Sequence, residues 1–425
     1  MNILVITRSA WRDDNNTGNT MSNFFSGMKN VSISNLCFRD EESDNNVAEQ
    51  TFHISDKQII DRILRKSSKV GFVEKDKLNN QKNKQFEQKA KKYRYQLIYL
   101  IQDLVWRTNI WKSAELDVFL KESKPDIIFM SSFPVAYPYY VLNYISQKYS
   151  CDFVLFHADD VCCVDRKNYN IFYRINKMVL RKSFKKLVNK AAINYCISEI
   201  QKAEYEKIYN KKFTILRKGY VFDEPPFCLQ NTGSKIKMVY AGNMCYGRDS
   251  QIENIAREIC GSKCLNDKFV IEVYTTSEIP KSFFKYPCID IKKPVSYGDL
   301  IDIQKNADIL IHVESFEDKN KKVVHQSFST KLVDYFHLGK CIFAVGPDDV
   351  ASIDYLIKND AAVVCTNQKE IETKLKMLAD NHELLEDYGR KAWNCGAKNH
   401  NINDIQSMLL NDLNKVVSEN ENDRK

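Results

Sequence analysis

The sequence predicts an α/β protein with two Rossmann-like, doubly wound domains that face a cleft. Its 425 residues exceed what one hydrophobic core usually organises. Short apolar runs typical of buried parallel strands alternate with amphipathic stretches. This pattern begins at Asn2–Thr7 and restarts at Lys237–Ala241, so we expect two halves that each begin with a strand.

A proline-containing segment separates the two halves. Residues 221–236 include Pro225 and Pro226, which is typical of a linker. We therefore expect a first domain over residues 1–220 and a second over residues 237–400. Residues 401–425 are expected to form a C-terminal helix or tail, for which packing back on the first domain is one arrangement.

Composition indicates an ordinary globular protein and restricts the classes of partner to be expected. Hydrophobic residues make up 44% of the chain, and the net charge of +8 suits phosphorylated substrates or an anionic membrane surface. The 13 cysteines form no C-x-x-C pair and no zinc spacing. Because no secretory signal is recognisable, reduced thiols in a cytoplasm are expected. No apolar run approaches a membrane span, so any membrane contact is expected to be peripheral, on the inner face of the plasma membrane.

The first half offers two candidate site residues near strand ends. Gly18 lies in a polar loop, residues 8–20, before a helix predicted over residues 21–28. Such a loop can admit a ligand, and a plain turn is the alternative. His157 ends the strand Phe153–His157 and precedes two aspartates, where it can contact a sugar or hold a proton. Because no histidine or cysteine framework surrounds those aspartates, we expect no metal.

Two basic amphipathic stretches of the first half leave alternatives open. A helical insertion predicted over residues 57–112 places an apolar stripe after a run of lysines. It suits an anionic bilayer or a lipid-linked acceptor, or it packs on its own domain. In residues 166–190 every ionisable side chain except tyrosine is basic, which suits membrane headgroups, an anionic acceptor or a solvated face. The chain carries no nucleic-acid motif, so nucleic acid is not an expected partner.

Residues 307–347 of the second half carry the most chemistry. A predicted buried strand ends at Glu314, and a lysine-rich loop follows it. The hydroxyls of Ser329 and Thr330 are predicted to cap a helix that begins at Lys331 and leads to another strand. An acid and a helix N-terminus are therefore expected to converge.

This order of elements predicts an anion site. In open α/β sheets, ligands bind beyond the carboxyl ends of the strands, where a helix N-terminus offers free N–H groups. Lys331 can add a positive charge for a diphosphate, and Asp334 can accept hydrogen bonds from sugar hydroxyls. The alternative is a surface pair between Lys331 and Asp334, with Glu314 as a solvated loop acid.

A glycine-bearing loop follows the first strand of the second half. It begins with Gly242 and Asn243 and precedes a helix predicted over residues 250–260. Arg248 is placed to reach a diphosphate at the start of that helix.

These residues give the second half, about residues 237–395, a resemblance to the donor domain of retaining GT-B glycosyltransferases of family 4. The Gly242 loop with Arg248 resembles that family's phosphate-binding loop. Residues 313–316, Val-Glu-Ser-Phe, resemble the start of its E-x7-E motif, and the segment beginning at Lys331 resembles the helix of that motif. The first half resembles the family in architecture.

The chain departs from the family pattern at three points. The usual lysine after the phosphate-binding arginine is missing, because residues 250–254 contain none. Glu317 replaces the usual glycine after Phe316. The second acid, Asp334, follows Glu314 after an insertion instead of at the family's fixed interval, so the order of the parts is kept while their spacing is not.

The resemblance implies a hexosyltransferase that uses a nucleotide-sugar donor and needs neither cofactor nor metal. It implies retention and a lipid-linked or oligosaccharide acceptor in the synthesis of a capsule or other surface polysaccharide. Arg248 and Lys331 are expected to bind the diphosphate, with Glu314 on the donor sugar and Asp334 on the ribose. His157 completes the expected catalytic set of His157, Glu314, Arg248 and Lys331. The expected donor-binding set is Gly18, Gly242, Asn243, Arg248, Glu314, Ser315, Phe316, Thr330, Lys331 and Asp334.

Two other functions remain open at this point. A nucleotide-sugar epimerase of the same fold would use acids and a histidine near C2 of the sugar and would need no acceptor. A protein that binds a nucleotide-sugar without turnover is suggested by the missing lysine and the altered spacing.

Overall fold

A computed structural model describes residues 1–74, 92–162, 170–226 and 235–423. Parts of the predicted insertion, the basic segment and the linker therefore lie outside the described residues. The chain divides into two compact units, and its C-terminal part belongs to the first. The first unit comprises Met1–Ile197, Lys202–Leu216 and Ile405–Lys425, and the second comprises Ser198–Gln201 and Arg217–Asp404.

Strands and helices alternate through most of the chain, which confirms the predicted α/β class. The strands are β1 (Asn2–Thr7), β2 (Ser32–Cys37), β3 (Gln50–His53), β4 (Phe72–Val73), β5 (Ile127–Ser131), β6 (Asp152–His157), β7 (Ile193–Cys196), β8 (Thr214–Ile215), β9 (Ile236–Ala241), β10 (Phe269–Tyr274), β11 (Ile289–Lys292), β12 (Ile309–Val313), β13 (Cys341–Val345) and β14 (Val363–Cys365). The helices are α1 (Asn16–Phe25), α2 (Asp56–Ile63), α3 (Lys92–Arg107), α4 (Ala114–Ser123), α5 (Tyr137–Tyr149), α6 (Ile171–Lys190), α7 (Glu199–Tyr209), α8 (Arg248–Gly261), α9 (Tyr297–Lys305), α10 (Asp318–Val324), α11 (Lys331–Leu338), α12 (Ala351–Lys358), α13 (Glu370–Asp380), α14 (Glu383–Asn399) and α15 (Ile402–Asp423).

The first unit is built on a sheet with the strand order β4-β3-β2-β1-β5-β6-β7-β8. All neighbouring strands are parallel except β3 and β4. Because side chains alternate along a strand, β1 serves two cores. Leu4 and Ile6 pack on one face of the sheet, and Ile3 and Val5 pack on the other. The central strand is therefore covered on both faces, as the doubly wound prediction requires.

The second unit has a parallel sheet with the strand order β11-β10-β9-β12-β13-β14. Strands β9 and β12 are neighbours, and β12 pairs with β13 up to the Val313–Val345 register. The amide of Glu314 then donates to the carbonyl of Val345 at 2.8 Å. Glu314 and Gly242 therefore begin the loops at the carboxyl ends of adjacent strands.

One helix begins earlier than the sequence predicts, and another was not predicted. Helix α1 begins at Asn16, five residues before the predicted start, because the Asn15 side chain caps it by accepting from the Gly18 amide at 2.8 Å. The lysine-rich loop after Glu314 contains helix α10, which the sequence analysis did not predict.

Among the described residues, no helix combines the length and the apolar character needed to cross a membrane.

The C-terminal helix α15 completes the core of the first unit. Leu409 and Leu413 are fully buried in the same cluster as Ile3 and Val5. The hydroxyl of Tyr195 in β7 donates to the Asp412 carboxylate at 2.9 Å. The helix therefore contributes to the stability of a unit whose strands all lie within residues 2–215.

We expect Leu413→Ala to destabilise the first unit by about 2–5 kcal/mol, because it removes a fully buried side chain and leaves a cavity. Urea unfolding followed by tryptophan fluorescence measures this change, since Trp11, Trp106 and Trp111 are all buried in the first unit. Lys415→Ala on the solvent side of α15, where the side chain is 74% exposed, is the control. Equal unfolding midpoints for the two variants would contradict the assignment of α15 to this core.

Candidate functional site

The candidate site of the second unit begins at Gly242, directly after β9. This glycine has φ = 144°, a backbone conformation that residues with a Cβ atom rarely adopt. A Cβ atom placed on it would lie 1.8 Å from Nζ of Lys331. Glycine is therefore required at this position for two reasons, the backbone conformation and the close approach of the lysine.

Lys331, the first residue of α11, places its ammonium between the Gly242 backbone and the Tyr240 ring. Its Nζ lies 5.4 Å from the centroid of that ring. Among the described residues, no acceptor is hydrogen-bonded to this ammonium. Burial and the nearby Arg248 guanidinium lower the pKa of Lys331 to about 8. An enclosed cation with unused donors is a favourable partner for an anion.

Arg248 and Glu314 form a two-pronged ion pair beside this lysine. Arg248 Nε and Nη2 donate to the two carboxylate oxygens of Glu314 at 3.2 and 2.9 Å, and Nη1 donates to Oδ1 of Asn243 at 3.2 Å. Glu314 is only 2% exposed, and its burial raises its pKa even though Arg248 opposes that shift. The glutamate therefore fixes the plane of the guanidinium at the start of α8.

Asp334 forms a second ion pair, with a residue that the sequence analysis missed. Nζ of Lys218 donates to Oδ1 of Asp334 at 3.0 Å, and both side chains are largely buried. Burial raises the pKa of Asp334, and Lys218 acts in the opposite direction. No spacing pattern linked Lys218 to the motif, because it lies more than one hundred residues before Asp334 at the edge of the expected linker.

The predicted cluster is therefore brought together within one unit. Arg248 contacts Glu314 directly, and Lys331 lies within electrostatic range of Arg248, Glu314 and Asp334. His312, which the sequence analysis did not single out, lies 3.9 Å from Glu314 and is fixed by a 3.0 Å hydrogen bond between Nε2 and the Ser352 hydroxyl. Burial lowers the pKa of His312 to about 3, so this imidazole is neutral beside the acid.

Helix α10 packs against the loop between β9 and α8. Asn320 donates to Oγ of Ser315 at 3.4 Å and to Glu317 at 2.9 Å. A Cβ atom on Gly247 would lie 2.6 Å from Asn320 and 2.7 Å from the Ser315 hydroxyl. The extra residues between Glu314 and Asp334 therefore form an ordered wall of the site, which accounts for the altered motif spacing.

The other predicted donor-site residues of this unit have structural contacts. Ser315 accepts from the Glu317 amide at 3.2 Å, and Phe316 packs on the hydrophobic core. The Thr330 hydroxyl does not cap α11, contrary to the prediction. The backbone supplies the first turn instead, with the Leu332 amide donating to the Ser329 carbonyl at 3.1 Å.

The two predicted site residues of the first unit have different surroundings from those expected. His157 is fully buried, with Nδ1 hydrogen-bonded to the Ser132 hydroxyl at 2.5 Å and Nε2 bonded to Asn194 at 3.2 Å. Burial lowers its pKa to about 4, so the expected sugar or proton contact is replaced by a neutral core histidine. Gly18 lies in the first turn of α1, where a Cβ atom would come within 2.0 Å of the Arg12 carbonyl oxygen, so it serves helix packing.

The site combines two cations with the N-termini of two helices. Helices α8 and α11 both begin at the carboxyl edge of the sheet, and each helix N-terminus carries about half a positive charge. Arg248 and Lys331 occupy the first positions of these two helices. A phosphate group can bridge them because guanidinium and ammonium donors both favour anionic oxygens. Among the described residues, no group of three His, Cys, Asp or Glu side chains is arranged to hold a metal ion.

Solved structures with the same architecture identify the fold. Sucrose-phosphate synthase from Thermosynechococcus elongatus aligns with a TM-score of 0.64 at 8% identity, over 98% of this chain and 99% of that chain. HepE from Anabaena, in a complex with UDP, aligns with a TM-score of 0.63 at 7% identity, over 98% of this chain and 100% of that chain. TarM aligns with a TM-score of 0.52 at 10% identity, over 70% of this chain, which spans 57% of TarM.

The fold is therefore GT-B, the architecture of a large class of glycosyltransferases, and the predicted fold class is confirmed. No protein-family model and no curated protein matches the sequence. At these low identities, the likeness establishes the architecture and not membership of family 4.

We expect the affinity of the site for UDP, or for another nucleoside diphosphate that binds, to fall as pH rises above about 8. Lys331 binds an anion as the ammonium, and its pKa in the free protein is about 8, so the binding form is present below that pH and is lost above it. The dissociation constant should rise by up to about tenfold per pH unit above 8. A Lys331→Arg variant, which stays charged, should show no such rise in calorimetric titrations. A pH dependence shared by both proteins would contradict the role of Lys331.

We expect Gly242→Ala to weaken nucleoside diphosphate binding by about tenfold or more, because the new methyl group occupies the position of Lys331 Nζ. Gly261→Ala at the end of α8, where a Cβ atom meets nothing within 4 Å, is the matched control. In a double-mutant cycle, Gly242→Ala should add little to Lys331→Ala. Additive losses would show that the glycine acts independently of the lysine.

Proposed function

We propose that this protein is a glycosyltransferase that takes a sugar from a nucleoside-diphosphate donor bound in the second unit. One observation carries the proposal: the Lys331 ammonium is enclosed against Gly242 without a hydrogen-bond acceptor among the described residues. Lys331 is partly buried, and holding a cation there next to the Arg248 guanidinium without a partner is unfavourable, so the site favours an anion. The start of two helices at the same edge favours a diphosphate over a single carboxylate.

The solved structures support the choice of donor. HepE, which shares the fold over nearly the whole chain, has been crystallised with UDP, with UDP and glucose, and with UDP-glucose. The family pattern has a lysine a few residues after the arginine, and residues 250–254 contain none. Lys331 takes the place of that second cation. Arg248 and Lys331 then bind the diphosphate, Glu314 holds Arg248 and accepts from a sugar hydroxyl, and Asp334 accepts from the ribose.

The proposed reaction breaks the bond between the anomeric carbon and the diphosphate and forms a bond from that carbon to an acceptor hydroxyl. Negative charge develops on the leaving phosphate oxygen, where Arg248, Lys331 and the two helix N-termini stabilise it. The acceptor hydroxyl attacks from the face that the phosphate leaves, and its proton passes to the departing phosphate oxygen. This geometry retains the anomeric configuration, as the resemblance to family 4 implies.

The proposed acceptor is a lipid-linked or oligosaccharide glycan of a surface polysaccharide such as a capsule, and the transferred unit is a hexosyl group. The basic and apolar helices of the first unit support this choice of acceptor. The proposed location is the cytoplasm, with peripheral contact to the inner face of the plasma membrane. We propose that the reaction needs no cofactor and no metal ion. Arg248, Lys331 and the N-termini of α8 and α11 supply the positive charge that stabilises the leaving diphosphate.

Incubation with labelled UDP-, GDP- and dTDP-sugars tests the proposal. Slow hydrolysis with release of nucleoside diphosphate, increased by a glycan acceptor, supports a transferase. Conversion to an isomeric nucleotide-sugar would establish the epimerase instead. Tight binding without release of product would establish a binding protein, and absence of binding would overturn the donor site.

We expect Lys331→Ala to lower donor turnover by about tenfold or more while leaving the fold intact, because it removes the cation next to the leaving phosphate. Lys358→Ala, which changes a lysine with a 63% exposed side chain in the same unit, is the control. Kinetics with the best donor and the melting temperature are measured for both. Turnover of Lys331→Ala equal to that of the parent protein would refute the proposed diphosphate contact.

A further inference from the structure

Two cysteine side chains face each other between helix α8 and strand β11 of the second unit. Sγ of Cys260, in the last turn of α8, lies 3.3 Å from Sγ of Cys288, the residue before β11. Both are free thiols, and the contact joins positions 28 residues apart in the sequence. Because the sulfur atoms of a disulfide are about 2 Å apart, an approach of about 1.3 Å would bring this pair to bonding distance.

The hydrogen bonds of the two thiols give the pair a direction. Sγ of Cys288 lies 3.7 Å from the Ala256 carbonyl oxygen. A carbonyl oxygen can only accept, so the Cys288 proton points to Ala256. The Cys260 thiol in turn donates to Sγ of Cys288. A sulfur lone pair of Cys288 is therefore directed at Cys260, which is the orientation that attack on an oxidised Cys260 requires.

The two thiols differ in their access to solvent. Cys288 is 5% exposed, and burial raises its pKa, which is typical of a thiol that reacts slowly with dissolved reagents. Cys260 is partly exposed at the end of α8, so a dissolved oxidant reaches it first. Cys288 is then already in contact with the oxidised sulfur and can resolve it.

Hydrogen bonds fix the backbone on both sides of the pair. Oγ of Ser282 donates to Oε2 of Glu253 in α8 at 2.7 Å, and the Tyr286 hydroxyl donates to Oε1 of the same glutamate at 3.3 Å. The Ile271 amide of β10 donates to the Cys288 carbonyl at 2.7 Å. The segment before β11 is therefore held on α8 independently of the sulfur atoms, so that bond formation needs mainly side-chain rotation.

Two other roles of paired thiols fit these residues less well. A protein metal site of the zinc type needs three or four side-chain ligands, and no group of three His, Cys, Asp or Glu side chains in the described part of the chain is arranged to hold a metal ion. Cysteines also serve as small core residues. The partial exposure of Cys260 distinguishes it from such core thiols as Cys341 and Cys365, which are 1% and 0% exposed.

We propose that Cys260 and Cys288 are an oxidation site, at which a peroxide converts two thiols into an intramolecular disulfide that ties α8 to β11. The Cys260 thiolate attacks one peroxide oxygen, the O–O bond breaks, and Cys260 becomes a sulfenic acid while the other oxygen leaves as water with the thiol proton. The Cys288 sulfur then attacks the sulfenic sulfur. The S–S bond forms, the S–O bond breaks, and the hydroxyl leaves with the Cys288 proton as a second water.

This reaction oxidises two thiols and reduces one molecule of hydrogen peroxide to two of water, and a reducing thiol reverses it. Reversible disulfides of this kind occur in otherwise reducing compartments as redox sensors. The bond would join the edge strand of the second sheet to the helix that begins with Arg248. The inference goes beyond the proposed function and does not depend on it.

Peptide mapping by mass spectrometry tests the oxidation site. The full-length protein is reduced, treated with hydrogen peroxide, alkylated and digested without further reduction. A linked peptide pair containing Cys260 and Cys288 should appear and should disappear after dithiothreitol. Dimedone, which traps sulfenic acids, tests the order of the two steps. It should label Cys260 in a Cys288→Ala variant and should leave Cys288 unlabelled in a Cys260→Ser variant, because the buried thiol is not the one that meets the peroxide.

The matched control is Cys264→Ser, which changes an exposed thiol four residues after Cys260 and should leave the linkage unchanged. Absence of the linkage in the parent protein would overturn the oxidation site. A bond between Cys260 and Cys264, or a bond between two chains, would overturn it in favour of reaction at exposed thiols.

The melting temperature tests whether the bond fits the fold. Oxidation should raise it by about 5 °C or more in the parent protein and in Cys264→Ser, because the bond closes a loop in the unfolded chain. It should cause no such rise in Cys288→Ala. An unchanged or lower melting temperature of the linked parent protein would show that the bond strains the fold, and would overturn the pre-positioned geometry. UDP binding by the reduced protein is measured separately, so failure of the donor site and failure of the oxidation site are told apart.

Discussion

The packing of the Lys331 ammonium against Gly242 is the contact on which the site of the second unit depends. An enclosed ammonium without an acceptor is unfavourable, and its lowered pKa records that cost. The helix that carries it is held by its apolar face, with Leu332, Val333 and Phe336 buried. Core packing of α11 therefore keeps the cation at the loop that follows β9 before any ligand arrives.

Ion pairs arrange the remaining charges around this lysine. The pair between Arg248 and Glu314 joins the loops after two adjacent strands, and the pair between Lys218 and Asp334 joins α11 to the segment that begins the second unit. Removing one partner of a buried pair leaves an uncompensated charge, which is strongly destabilising. These contacts hold the site in position, while no described residue accepts a hydrogen bond from Lys331, whose ammonium can donate to a ligand.

Strand and helix signals were sufficient to locate the centre of the site from sequence. The apolar runs that end at Ala241 and Val313 placed Gly242 and Glu314 at one edge of a sheet, and the amphipathic run of α11 placed Lys331 at a helix start. Lys218 could not be found this way, because its pairing with Asp334 is a long-range contact with no local periodicity. The surroundings of His157 could not be found this way either, because a strand-end position does not reveal whether the side chain faces solvent or the core.

Two features, one in each unit, could be seen only in the structure. The residues inserted between the two acids form helix α10, which packs on the loop between β9 and α8. The sequence analysis had treated these residues as a loop. In α3, the periodicity indicated an apolar face correctly but could not indicate which side was solvent. Burial of Trp106 and exposure of Leu104, two residues apart, resolve that question. The candidate site and the exposed apolar row of α3 thus rest on separate observations in separate units.

The central claim is that the Lys331 ammonium binds the diphosphate of the donor. Calorimetric titration with the best-binding nucleoside diphosphate at about pH 8.5, in buffers of different ionisation enthalpy, measures the protons taken up on binding. With a free-state pKa of about 8, the protein should take up about three-quarters of a proton per ligand bound, and Lys331→Arg should take up none. Binding by the parent protein without proton uptake would contradict the account.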